Sequence, residues 1–484
     1  MSFPLWLRLT HFINLFFMTL LIRSGIQILF AHPKLYWRDD CLPGSEWLRF
    51  TRKKMPRDRL WTSMDEEEPA PSWLALPGGR TLGLGRHWHY VSVLGWVLSG
   101  LLYVLLLLGT GEWRRLLPTS WDIFPEAWRA LVTYLHFEMP RETGRYNALQ
   151  QLSYAGVVFI LAPLQILTGL ALSPALDARW TWYSRLFGSR QGARSLHFIG
   201  LALFFLFTLI HVSEVIIHGT GHEMARIVLG DEQGSRAWTY VLTAVGLGLV
   251  VLVNVWATHA SRASPVRIQT LLGRIFYPVR HFFLHGIESR QHLSHRDISP
   301  YFRINGRPPT GDEYERLRAG RFAEWRLRVG GLVKKPLSLR LADLHAMRRV
   351  SQITRHDCIQ GWSAVAEWTG LPFADLMALC EPLPEARFAV LYAFAQEEHP
   401  VPYYGSLSLE HARHGQTLLA YEMNGQELPI EHGAPLRLRV ETQLGFKMVK
   451  YIHTIEFVES IETLGKGHGG LREDYQQYGT EAGI

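Results

Sequence analysis

The sequence predicts an all-α membrane bundle of five helices followed by a soluble α+β domain. Three observations lead there. The mean hydropathy of +0.01 averages two unlike halves. Of the 17 tryptophans, 14 precede Ser261, together with every long uncharged run. From Tyr301 onward the texture changes to short alternating runs between Gly and Pro. At 484 residues the chain also exceeds one ordinary core, since domains run to ~100–200 residues.

Five uncharged stretches define the membrane half: Leu9–Ile22 (extended past Arg23 to Phe30), His87–Gly111, Tyr146–Leu176, Ser195–Ser213 and Ala237–Ser261. A spanning helix needs ~20 mostly apolar residues, which each stretch supplies once its flanks are counted. The expected helices cover about residues 5–30, 87–110, 148–172, 195–217 and 238–259 of a membrane domain 1–261. Arg23 and Glu214 interrupt the first and fourth spans, and an ionisable group at that depth flags function. A signal peptide is a poor alternative for the first segment, which lacks a small-residue cleavage pattern and runs into HPKLYWRDD.

The net charge of +7 is modest, and no basic stripe points to nucleic acid. Cys41, Cys358 and Cys380 form no spacing motif and no disulfide framework. Residues 262–300 are basic and histidine-rich and read as a linker along the membrane surface. Within it, His292 and His295 lack the partner cluster a metal site needs. Beyond it, EWRLRVGGLV, ARFAVLYAF, PLRLRVET and KYIHTIEFVE alternate as strands do, with brief helical patterns such as PFADLMALC between them. This places a strand-rich domain at 301–465 and a tail at 466–484.

Histidines supply the first chemistry. His197 and His211 lie fourteen residues apart in the fourth span, about 3.9 turns, so both face one side roughly 21 Å apart. That spacing suits two stacked haems, one near each membrane surface. Successive helices run antiparallel, which pairs His197 with His89 or His87 on the second span and His211 with His11 on the first. Each pair would give an iron with two imidazole ligands, suited to electron transfer because no position is open to substrate. The bland alternative for any one of these rings is a hydrogen bond to a neighbouring helix.

On RLTHFINLFFMTLLIRSGIQI, GRHWHYVSVLGWVLSGLLY, YNALQQLSYAGVVFILAPLQILTGLALSP and GARSLHFIGLALFFLFTLIHV, the first half resembles the bacterial di-haem cytochrome b family of formate dehydrogenase and nickel-iron hydrogenase membrane subunits. The resemblance implies two b haems held by His11, His197, His211 and, better than His87, His89. It also implies electron exchange with quinone or quinol. The fifth span carries only His259, at its end.

The second informative segment is RHDCIQGWSAVAEWTG. A thiolate at Cys358 is a soft ligand for a metal, and neighbouring Arg355 and His356 are expected to favour the ionised form. A lone cysteine is otherwise a core residue, as Cys380 in LMALCEP is expected to be. With YFRING, LLAYEMNGQELPIEHGAPLRLRVE and GFKMVKYI, this segment resembles the sulfite-oxidase fold of molybdopterin enzymes, and in detail the methionine sulfoxide reductase catalytic subunit. The resemblance implies a molybdenum–molybdopterin cofactor ligated by Cys358. Arg303, Arg437 and Lys450 match its phosphate-holding positions, and Asn305, His356 and His432 its other cofactor contacts. His432 stands where the reductase has asparagine, and Ala393 where it has threonine. Tyr403 and Tyr404 lie in the segment that approaches the metal, and Tyr404 is the expected proton donor or hydrogen-bond partner. Core packing is the alternative for at least one of the two.

Together these readings describe a membrane-bound molybdopterin-dependent oxidoreductase in a bacterial inner membrane, passing electrons between quinone, two haems and molybdenum to reduce a small S-oxide or N-oxide. Sulfite-type oxidation is the runner-up. A non-catalytic electron-transfer protein with a metal-free domain is the alternative of another class. An additional electron-transfer partner or a homo-oligomer is compatible with either half. Ten Lys and Arg in 31–86 and four in 177–194, against five in 112–145 and two in 223–236, favour a cytoplasmic soluble domain. No twin-arginine stands in the loop directly before the fifth span, in keeping with that side. A cytoplasmic N-terminus, as in the related cytochromes, implies the opposite side.

Overall fold

The computed structural model describes residues 3–136, 138, 140, 146–231, 233–284, 293–396 and 401–479, without the side chain of Thr181. Five helices are long and apolar enough to cross a membrane: Leu5–Ala31, Leu82–Gly109, Ala148–Ala171, Arg190–Ile217 and Arg236–Ala263. The second and fourth start five residues earlier than the apolar runs, because GRHWH and RQGAR continue the helix into polar sequence. The third contains a π-helical turn at Val157–Leu161, where the hydrogen-bond ladder widens by one residue.

The chain divides into two compact units, and the division is not the expected one at Ser261. One unit comprises Met1–Ser24, Trp88–Leu170 and Ala193–Ala263; the other comprises Gly25–His87, Ala171–Gly192 and Ser264–Ile484. The loops after the first and third spans thus group with the C-terminal domain. The linker is also corrected in part: Pro265–Leu284 is a helix. Ile268 and Leu272, one turn apart, are buried on one face while Arg267 and Arg274 are exposed, so an amphipathic stripe underlies what reads as a charged linker. His292 lies outside the described residues.

In the helical unit, Arg23 donates to Asn254 Oδ1 at 3.0 Å and to Thr258 Oγ1 at 2.8 Å. The first interruption is therefore a polar clamp between the first and fifth helices. The second is local: Glu214 lies 3.4 Å from His218, one turn on.

The other unit is built on two five-stranded sheets. In the first, Ser363–Pro372 runs antiparallel to Val350–Asp357 on one side and to Thr417–Met423 on the other, and the latter also pairs with Arg437–Val440 and Gln426–Glu427. Ser363–Pro372 is buried on both faces, which explains its nearly continuous apolar sequence. In the second sheet, Ile452–Val458 lies parallel to Arg326–Gly331 and antiparallel to Phe388–Ala393; Leu337–Arg340 and Tyr404–Ser408 form its edges. Trp325, Trp362, Trp368, Tyr314 and Phe373 fill the core they share. A burial of this kind contributes roughly 1.5–3 kcal/mol per large apolar side chain.

Candidate functional site

In the helical unit the structure brings two of the four candidate imidazoles together. The His11 and His211 rings lie with centroids 6.2 Å apart and planes 60° apart. Metal–imidazole bonds of ~2 Å set two ligand rings roughly 6 Å apart across one ion, so this pair fits the iron of a haem. His197 Nδ1 lies 3.0 Å from Thr168 Oγ1, and His89 Nδ1 lies 3.1 Å from Ser24 Oγ. Hydrogen bonds at Nδ1 orient a ring for ligation through its other nitrogen. His87 behaves differently: Nδ1 bonds to the Gly83 carbonyl at 2.7 Å and Nε2 to Tyr277 Oη at 3.2 Å, and it groups with the other unit. Both of its nitrogens are engaged, which leaves His89 as the second-span candidate.

In the sheet unit, a β-hairpin positions Cys358. Strand Val350–Asp357 ends one residue before it, Cys358 N–H donates to the Trp362 carbonyl at 3.1 Å, and Gly361 N–H donates back to the Cys358 carbonyl at 3.0 Å. The turn closes through Gly361 at φ +106°, a conformation L side chains rarely adopt. Buried charge holds the hairpin: Arg190 lies 3.3 Å from Asp357, and Arg355 pairs with Asp357 at 3.2 Å and also with Asp177.

This revises the expected thiolate stabilisation. Arg355 is committed to two carboxylates, His356 is held well below its ordinary value by burial and Arg439, and burial pushes the Cys358 thiol up to about 12. Cys358 Sγ donates weakly to Gln360 Oε1 at 3.6 Å. Only a cation at the sulfur would make this thiol a thiolate, as metal coordination does.

Cys358 lines a cavity in the sheet unit. Arg303, Asn305, His356, His432, Arg437 and Lys450, the residues singled out in the sequence, all line it. Among the described residues, no aspartate or glutamate does. Arg303 donates to Tyr36 Oη at 2.7 Å; against desolvation, Glu66 and Tyr36 hold its guanidinium above the ordinary value. Arg437 donates to the His432 carbonyl at 2.9 Å and stacks over Trp368 at 4.5 Å, while burial and Arg439 push its pKa down to about 9. Lys450 donates to the Glu431 and Gly306 carbonyls at 3.0 and 3.3 Å. His432 is held neutral, pushed down to about 3 by burial and then by Arg437 and Lys450.

The cavity fits an anionic cofactor tail on three counts. Arg303 Nε, Arg437 Nε and His356 Nε2 are buried with no hydrogen-bond partner, which native interiors rarely tolerate. Arg439 Nη1 donates to His356 Nδ1 at 3.1 Å, so Nε2 bears the proton and needs an acceptor. A side chain at Gly445 would strike the His356 ring at 2.3 Å, so the wall beside it must be backbone.

Tyr404 is corrected. Its hydroxyl donates to Asp474, and the residue does not line the cavity; its strand neighbour Tyr403 does, with its hydroxyl donating to the Phe446 carbonyl at 2.8 Å. Successive strand residues face opposite ways, so one of the pair had to turn from the cavity. Cys380 is a core residue. Four lining residues escaped the sequence reading: Met64 from the loop after the first span, Gln396 after the strand Phe388–Ala393, and Arg472 and Tyr478 from the tail. The short polar tail offered no motif, and only its Arg and aromatics in LREDYQQY were available as a signal.

Comparison with known proteins agrees with both halves. Residues 2–230 match the family described as prokaryotic cytochrome b561, and residues 316–463 match the oxidoreductase molybdopterin binding domain. A protein from Azospira oryzae named as the protein-methionine-sulfoxide reductase subunit YedZ1 is 38% identical over 152 residues, 31% of this chain and 53% of that one. The protein-methionine-sulfoxide reductase catalytic subunit MsrP of Xanthomonas axonopodis pv. citri is 34% identical over 151 residues, 29% of this chain and 47% of that one. The chain spans about half the length of the curated relatives it matches. The sulfane dehydrogenase SoxCD of Paracoccus pantotrophus is 25% identical over 31% of this chain and 40% of that one, at a TM-score of 0.27. A histidine-bearing helical bundle and a cysteine-centred cationic cavity therefore belong to one polypeptide in which a prokaryotic cytochrome b561 module precedes a molybdopterin-binding oxidoreductase domain.

Proposed function

We propose that this protein is a membrane-bound molybdenum oxidoreductase that takes electrons from quinol through two b haems and reduces a small S-oxide or N-oxide. The observation that supports this most is the cavity at Cys358, lined among the described residues by cationic side chains and no carboxylate, with Arg303 Nε, Arg437 Nε and His356 Nε2 of its lining residues buried and without a hydrogen-bond partner. His11 with His211, and His89 with His197, would hold the haems. Cys358 would ligate molybdenum; Arg303, Arg437 and Lys450 would hold the phosphate tail, and Asn305, His356 and His432 would contact the pterin.

When bound, molybdenum supplies two-electron oxygen-atom chemistry and the haems carry single electrons. The chain's own contribution is positional. The hairpin turn fixes the Cys358 sulfur, His356 Nε2–H offers a fixed donor, and Phe302, Trp362, Phe446 and Met448 exclude water from the wall. Sulfite-type oxidation remains the second reading, favoured by the cationic lining, which suits an oxyanion as well as a sulfoxide.

Metal analysis of the purified protein tests the reading. Molybdenum and haem iron in a ratio of one to two is the expected result. Haem without molybdenum overturns the enzyme reading in favour of a plain electron carrier.

A further inference from the structure

The tail after the second sheet is built into the cavity wall with more care than a tail needs. Lys447 and Glu473 form a pair buried on both sides, and the Asp474 carboxylate accepts from Tyr404 Oη, from Lys466 N–H at 2.8 Å and from His468 N–H at 3.1 Å. Gly465 permits this packing, since a Cβ there would overlap the Tyr404 hydroxyl and the Asp474 carboxylate. The short helix Leu471–Gln476 then carries Arg472, and Gln477 turns the chain in the left-handed region at φ +53° so that Tyr478 folds back.

Both side chains line the cavity that contains Cys358. Arg472 is 8% exposed, donates to Gln476 Oε1 at 2.9 Å and sits 5.9 Å from the Tyr403 ring. Tyr478 is 6% exposed, with its ring 4.9 Å from that of Phe446. Of the four Arg and Lys side chains among the described residues of the wall, Arg303, Arg437 and Lys450 come from the segments that match cofactor-holding positions, and Arg472 comes from the tail. Arg472 and Tyr478 therefore share one cavity wall with Cys358 and stand outside the segments that match cofactor-holding positions.

We propose that Arg472 and Tyr478 form the substrate-oxygen site: the guanidinium receives a sulfur- or nitrogen-bound oxygen that bears negative charge, and the phenol donates a second hydrogen bond to it. The inference rests on the proposed function and assigns the recognition step within it. A guanidinium suits the task because it presents several fixed donors and never loses its charge. The fixed charge should also make the site bind inert oxyanions, independently of turnover.

The test uses the full-length protein in detergent, with molybdenum content and the haem spectrum recorded for each variant. Sulfate is titrated calorimetrically, and KM and kcat are measured with dimethyl sulfoxide as the neutral arm and sulfite as the anionic arm. R472Q should weaken sulfate binding at least ~10-fold and raise KM more than it lowers kcat, as loss of a charged hydrogen bond predicts. R472K should recover most of both. Y478F, which removes one hydroxyl, should show about a 5-fold effect in the same direction. A rise in KM for sulfite alone would mark the site as one for anions, and a rise in both arms as one for the shared S–O dipole. The inference is overturned if R472Q with full molybdenum binds sulfate and substrate as the wild type does, or if R472Q loses molybdenum, which would make Arg472 a cofactor-holding residue. A wild-type protein without molybdenum sinks the proposed function instead, and is seen before any variant is made.

Discussion

The two candidate centres are assembled in opposite ways. In the helical unit, one helix supplies both members of the His197/His211 set, and the partners follow from antiparallel packing of its neighbours. In the sheet unit, the cavity around Cys358 draws on the loop at Met64, the segment Phe302–Gly306, the hairpin His356–Trp362, the stretch His432–Lys450 and the tail at Arg472 and Tyr478. A helix converts sequence spacing directly into spatial spacing, whereas a sheet domain converts it only through its topology. The helical centre is therefore sensitive to single ligands, and the cavity to anything that displaces one of several distant segments.

The strongest way to break this comparison is Cys358→Ser. It should abolish molybdenum retention and turnover while leaving the haem spectrum at wild-type intensity; metal analysis and optical spectra check both. Loss of the haem signal as well would mean that the centres do not fold separately.

Next in size, His11→Ala or His211→Ala should halve haem per chain, and His89→Ala should do the same, whereas His87→Ala should leave haem content unchanged. Haem extraction and quantification distinguishes them. A loss with His87→Ala would reverse the assignment based on its bonds to Gly83 and Tyr277.

A third effect concerns the loop after the first span. Glu66 is buried, 3.1 Å from Lys34, 3.3 Å from His32 and 3.9 Å from Arg303. Desolvation raises its pKa, but His32, Arg303 and Lys34 together hold it well below the ordinary carboxylate value. A depressed folded-state pKa contributes stability that is complete above the unfolded value of ~4.5 and lost as pH falls below it. Glu66→Gln should lower the unfolding temperature at pH 7, and the gap to wild type should shrink as pH drops below about 4.5. Thermal melts monitored by tryptophan fluorescence across pH report this.

The smallest effect is at the corrected tyrosine. Tyr404→Phe removes one hydrogen bond to a carboxylate, worth ~1.5–3 kcal/mol. It should loosen the tail, seen as faster proteolysis after residue 465, and raise KM only as far as Arg472 is displaced. A complete loss of turnover with the tail still protected would restore Tyr404 as a reacting group.

Much of the fold was legible in the sequence. Five apolar runs of spanning length and the strand texture after Tyr301 both express local preferences, so each survives translation into structure. Cys358 and the cations at Arg303, Arg437 and Lys450 were legible through motifs. Three features were not. The loops 25–87 and 171–192 join the sheet unit through pairs such as Arg355–Asp177 and Arg190–Asp357, which connect residues more than 160 positions apart. Several basic residues of those loops are committed to ion pairs, Arg190 with Asp357 across distant segments and Lys34 with Glu66 and Lys53 with Glu68 inside the first loop, so their number reflects folding of the sheet unit as much as membrane orientation. A reporter fused at Ile484 reads the orientation directly. The choice between Tyr403 and Tyr404 depended on strand facing, which one register step reverses.

The sequence by itself determined that apolar helices come first and a strand-rich domain second, and where along the chain the imidazoles and the thiol stand. Those properties follow from composition and from the periods of helix and strand, which act over a few residues. Tertiary structure alone decided which tyrosine faces the cavity, which histidine near the start of the second helix keeps company with the bundle, and that the tail brings Arg472 and Tyr478 to the cavity that Cys358 lines. Those outcomes depend on burial and ion pairing between segments far apart in the chain, which no local pattern encodes.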